Sequence, residues 1–125
     1  NLSENNKEEI PVLEKEMLYN NFRVVEKEKF IKIIKTFLEN IPDRMRRINE
    51  CIYEKDSIKL AYELHSFKGV VSIFSAKEAL GIIDNFEKAV NKRDNDSFEL
   101  IYNKLEKAID KLKIEIEKII LEDKK

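Results

Sequence analysis

Apolar residues return at three- and four-residue steps through most of this chain, and polar residues fill the positions between. That period predicts helices that bury one face each. The longest run extends from about Val25 to Glu54 and carries Phe30, Ile33, Ile34, Phe37, Ile41, Met45, Ile48 and Ile52 on one side. Pro42 lies inside it and is expected to kink or split the helix near Asn40 and Ile41, because proline has no amide hydrogen to donate. A second run enters through Asp56-Ser57, an N-cap sequence, and aligns Leu60, Leu64, Phe67, Val71 and Phe74 before ending near Phe74. A third, about Ala76 to Lys92, aligns Leu80, Ile83, Phe86 and Val90. Ser75-Ala76-Lys77-Glu78 ahead of it has the form of a capping box, and Asp96 with Glu99 repeats that form after the turn at residues 93–96. The fourth run, Phe98 to about Leu121, carries Ile101, Leu105, Ala108, Ile109, Leu112, Ile116 and Ile119.

Upstream, Pro11 suits a first helical turn, Val12, Leu13, Met17 and Leu18 are available for burial, and Asn20-Asn21 ends a short helix that lids one end of the fold. Residues 1–9 are a polar lead-in or linker. Taken alone, the last run could be a coiled-coil strand. Beside three amphipathic neighbours joined by short loops it predicts an all-α domain over residues 10–122. The architecture expected is an antiparallel, up-down four-helix bundle with an additional short N-terminal helix.

Composition agrees. Two glycines and two prolines in 125 residues, with abundant Lys, Glu, Leu and Ile, favour helix throughout. Lys and Arg number 24 against 25 Asp and Glu, so no overall field draws the domain to nucleic acid or to an acidic membrane, and neither is expected as a partner. Arg44, Arg46 and Arg47 cluster locally; a solvated helix face is the favoured reading, an acidic partner surface the other. The single cysteine, Cys51, cannot form an internal disulfide and reads as a small buried hydrophobe, which suits a reducing cytoplasm. No apolar run has the length of a membrane span and no signal peptide is visible. One His and one Cys do not make a zinc site, no carboxylate spacing matches a calcium loop, and no Gly-rich phosphate loop points to an ATP site. The chain begins at Asn1, as either an excised domain or a processed product would.

The one histidine, His65, falls on the second helix away from the apolar stripe, with Ala61, Lys68, Gly69 and Ser72 around it. Neutral imidazole is a good nucleophile, and an ammonium one turn away can balance incoming phosphoryl charge. Gly69 is the anomaly. Within a helix it costs roughly 1 kcal/mol relative to alanine, and a solvent face gives no reason for it. A partner that must approach the backbone beside His65 would give one.

These residues resemble a family. His65-Ser66-Phe67-Lys68-Gly69 followed by Phe74-Ser75-Ala76 is similar to the signature helix of histidine-containing phosphotransfer (HPt) domains, His-x-Leu-Lys-Gly followed by Leu-Gly-Ala. The resemblance extends through Phe37, Pro42, Asp56, Ala61, Leu80 and Phe86-Glu87, about the middle half of the chain. Leu64 stands for the usual alanine before the histidine, Phe67 for leucine, and Ser75 for the second glycine, a departure that the capping box at Ser75 would accommodate. The resemblance implies a phosphorelay carrier in which His65 accepts a phosphoryl group through Nε2 from a receiver-domain phospho-aspartate and passes it to another receiver. It implies no cofactor in this domain, the Mg²⁺ belonging to the receiver, and a cytoplasmic monomer that meets response-regulator receivers and in some settings a sensor histidine kinase. Lys68 would balance the phosphoryl oxygens and Gly69 would leave room for the partner's loops. Ala61, Ser72, Ile58 and Tyr62 are candidates for the docking face, Ile58 and Tyr62 having peripheral core as their favoured reading. Glu87 matches the family pattern without an assigned role. Two alternatives stay open: a chemotaxis-kinase-type domain phosphorylated by a separate ATP-binding kinase domain, and a non-catalytic helical adaptor that binds receivers.

Overall fold

The computed structural model describes residues 11–123, and its regular elements are helices alone among the described residues. They are α1 (Lys15–Asn21), α2 (Lys27–Glu54), α3 (Ser57–Val71), α4 (Lys77–Asn91) and α5 (Phe98–Asp123), with 3-10 turns at Ser72–Phe74 and Asn95–Ser97. The polar lead-in at residues 1–9 lies outside the described residues. Helix α2 packs on α3, α3 on α4, α4 on α5, and α5 closes the ring against α2. This is the expected four-helix bundle. No described helix is long and apolar enough to cross a membrane.

The stripes read from the sequence meet at its centre. Ile34, Ile48, Leu64, Phe67, Val71, Ile83, Phe86, Leu105, Leu112 and Ile116 have no exposed surface. Each such side chain withdraws enough apolar area to contribute about 1.5–3 kcal/mol. Cys51 is sealed among them, and burial pushes its thiol above the ordinary range, so it is packing and not a nucleophile. Ile33 is the exception on α2: it stands 41% exposed, because Phe30, Ile34, Phe37 and Ile41 already fix the inward stripe and Ile33 falls one step off it.

Pro42 does not split α2, which runs unbroken through it. Phe37, Ile41, Met45 and Ile48 are buried on both sides of the proline, and this shared core outweighs the loss of one backbone bond, a cost of about 3 kcal/mol in an unsupported helix. At its end, Lys55 adopts a left-handed conformation (φ 59°); the Asp56 amide donates to the Cys51 carbonyl at 3.0 Å and the Lys55 amide to Ile52 at 3.2 Å. This is a Schellman turn. Arg93 repeats it after α4, with Asp94 donating to Ala89 at 2.9 Å.

Neither capping box forms. Ala76, not Ser75, flanks α4 and no side chain caps it; Ser75 is itself left-handed at φ 50° and turns the chain between the helices. Asp96 sits inside the 3-10 turn, where the Ser97 hydroxyl donates to the Asp94 carbonyl at 2.8 Å. The short N-terminal helix starts at Lys15, later than expected, leaving Pro11 outside it and Met17 half-exposed. It does lid the bundle. Leu13 and Leu18 are buried, Asn21 Nδ2 donates to the Ile73 carbonyl at 3.1 Å, and the Glu14 amide reaches Phe74 at 3.4 Å.

Candidate functional site

Helix α3 is fixed from its first residue. The Asp56 carboxylate accepts from the Lys59 amide at 3.0 Å, and Leu60, Leu64, Phe67 and Val71 then lock the rotation of the helix against the core. On the α2 side Glu63 is almost fully buried and pairs with Arg47 Nε at 3.2 Å, and Ser66 accepts from Arg44 at 3.2 Å. Arg44 also lies over the Phe67 ring at 5.9 Å. Arg46 pairs with Asp43 and, at 2.7 Å, with Glu50; Arg47 also reaches Asp43. The arginine cluster is therefore occupied within its own chain, part of it bracing α3.

With that rotation set, His65 points outward, its side chain 83% exposed. Its Nδ1 lies 3.7 Å from Glu87 Oε2 on α4, inside ion-pair reach though longer than a hydrogen bond. The other oxygen of Glu87 faces Lys68 Nζ at 3.4 Å, and Asp84 Oδ1 holds the same ammonium at 2.7 Å. Hydrogen bonds to Asp84 first, and Glu87 second, raise the Lys68 pKa, so the lysine stays charged. Glu87 thus stands between the imidazole and the ammonium. The sequence reading gave it no chemistry; its only signal there was the match to the Phe-Glu step of the family pattern, since the contact joins two helices.

Gly69 is exposed in regular helix, and a Cβ added there would meet nothing within 4 Å. Among the described residues nothing outside the local helix backbone needs the space. The same is true of Gly81 on α4. Ser72 is exposed, but its hydroxyl turns back to the Gly69 carbonyl at 2.7 Å. Ala61 is half-buried and packs against the core. Ile58 and Tyr62 are not peripheral core: they stand 85% and 69% exposed, because the four inward positions of α3 are already filled and both fall opposite them. Together with His65 and Gly69 they give α3 a second face that is partly apolar.

The imidazole is not in a cleft. Cavities of about 650 and 510 Å³ lie elsewhere, one bounded by Cys51, Lys55, Arg93 and Phe98, the other by Tyr19, Phe22, Phe30 and Ile119, and neither is lined by His65 or Lys68. Among the described residues no three His, Cys, Asp or Glu side chains gather as a metal ligand set. The arrangement is an exposed imidazole with a carboxylate beside it and an ammonium on the far side of that carboxylate.

No protein-family model matches the sequence, and a search of curated proteins finds no match either. Among solved structures the chain is similar to the crystal structure of histidine-containing phosphotransfer protein B (HptB) from Pseudomonas aeruginosa PAO1, with a TM-score of 0.83 and 18% identity, covering 91% of this chain and 98% of that one. The likeness establishes the fold: this chain has the helical architecture of an HPt protein.

Proposed function

We propose that this domain is a phosphocarrier of a two-component phosphorelay, accepting a phosphoryl group on His65 from the phospho-aspartate of one receiver domain and passing it to another. The observation that carries the reading is the outward imidazole of α3, with Nδ1 turned to Glu87 and bare backbone one turn away at Gly69. A carboxylate on the Nδ1 side favours the tautomer that keeps its proton there, leaving the Nε2 lone pair for phosphorus.

The step balances without a further group from this chain. Nε2 attacks phosphorus in line, the P–N bond forms as the P–O bond to the aspartyl carboxylate breaks, and that carboxylate leaves with the electron pair. The ring gains a positive charge with its proton still on Nδ1, facing Glu87. The phosphoryl group brings negative charge to a residue one helical turn from Lys68. Such transfers depend on position and charge balance, so a carrier with few groups suffices. In this reading the Mg²⁺ belongs to the receiver, Ile58 and Tyr62 supply apolar docking area, and the domain works as a cytoplasmic monomer.

The test is to incubate the chain with a receiver carrying labelled phosphate, and separately with a chemotaxis-type kinase core and ATP. Acid-labile label should pass from the receiver, and His65→Gln should abolish it. Label from the kinase core alone would replace the donor, and binding of receivers with no label on the wild-type chain would make it an adaptor.

A further inference from the structure

Lys68 is already engaged before any phosphoryl group arrives. Its ammonium lies 2.7 Å from Asp84 and 3.4 Å from Glu87, both on α4. With a neutral imidazole, His65, Lys68, Asp84 and Glu87 together carry one positive charge and two negative ones. A phosphoryl group on Nε2 adds nearly two more negative charges, relieved by one positive charge on the ring. The two carboxylates meet that change differently. Glu87 is 23% exposed and faces Nδ1, so the ring's new positive charge lies against it. Asp84 is 48% exposed and touches Lys68 without touching His65. A pair exposed to this extent is weak and can be exchanged for water.

We infer that Asp84 is a positioning residue that competes with the phosphoryl group for the Lys68 ammonium, and so keeps phosphorylated His65 ready to part with its load. The role in a relay rests on the function proposed above; the competition for Lys68 does not. Loss of the group has a loose transition state, in which the phosphoryl oxygens give up negative charge as the P–N bond breaks. An ammonium held against those oxygens stabilises the loaded state more than the transition state. By drawing Lys68 away, Asp84 shortens the life of that state.

The experiment loads His65 chemically with phosphoramidate and follows phosphohistidine by ³¹P NMR. In hydrolysis the P–Nε2 bond breaks, the ring recovers its lone pair, and water supplies the oxygen and protons that leave inorganic phosphate. Asp84→Asn should lengthen the half-life about three- to fivefold, the scale of a half-exposed charge pair. In a Lys68→Ala background the same substitution should change it by less than about 1.5-fold, since the group competed for is gone. A wild-type half-life in Asp84→Asn overturns the inference, as does a lengthening of equal size without Lys68, which would mean direct repulsion. Circular dichroism on each variant confirms the fold, and a merely structural role would not move the half-life. Should receivers fail to load the chain, the relay function falls while these half-lives still report on Asp84.

Discussion

The two glycines of this chain make a natural comparison. Gly69 on α3 and Gly81 on α4 both sit inside regular helices, both are exposed, and among the described residues nothing beyond the local helix backbone lies within 4 Å of where a Cβ would stand. Each should weaken its helix by about 0.5–1 kcal/mol relative to alanine. Meanwhile three left-handed positions, where glycine would relieve strain, are held by Lys55, Ser75 and Arg93. Local conformational preference therefore does not place glycine in this protein. Nor is a bare helical glycine alone a mark of docking, because Gly81 has the same surroundings as Gly69. What separates them is the neighbour: Gly69 is one turn from the exposed imidazole, and Gly81 has no histidine on its own helix.

The largest expected effect breaks that symmetry. Gly69→Ala should slow phosphoryl transfer from a labelled receiver at least tenfold, a loss of about 1.4 kcal/mol in the transition state. Gly81→Ala should leave transfer within about twofold. Both should raise stability by about 0.5–1 kcal/mol in urea denaturation, since both add a helix former in open space. The paired design removes helix propensity from the comparison. Equal transfer rates in the two variants would show that the backbone beside His65 is not closely approached.

The same contrast separates what the sequence could reveal from what it could not. Helical period placed the core of α3 and the outward imidazole, because exclusion of water acts on every residue of a stripe at once. Asp56 was legible as a cap because its partner, the Lys59 amide, lies three residues on. Ion pairs between helices were not legible. Glu87 meets His65 and Lys68 only after two antiparallel helices have fixed their register, and nothing in the local spacing of α4 marks it. Apolar residues usually find cover, which favours peripheral core for Ile58 and Tyr62; here the inward positions are full, and both stand outside. Ser75 departs from its expected cap for a related reason. The pattern of serine followed three residues later by glutamate is only a composition of residue types, and backbone dihedrals decide whether it becomes a cap.

Ser75 therefore provides the reverse of the glycine pair, a smaller effect on stability alone. Its φ of 50° belongs to the left-handed region, which costs an L-residue roughly 1–2 kcal/mol. Its amide donates to the Ser72 carbonyl at 3.1 Å, a bond that glycine would keep, and among the described residues its hydroxyl makes no hydrogen bond. Ser75→Gly should relieve the strain but return part of the gain through a freer unfolded chain, for a net stabilisation of about 0.5–1 kcal/mol. For a domain of this size that is a rise of about 3 °C in Tm, readable by calorimetry. Transfer from a labelled receiver should be unchanged, because the turn lies beyond the end of α3 and its relief moves no group at His65. A stabilised variant with slower transfer would mean that the turn sets the position of α3 against its partner, and a destabilised one that the serine side chain packs where its backbone alone does not explain it.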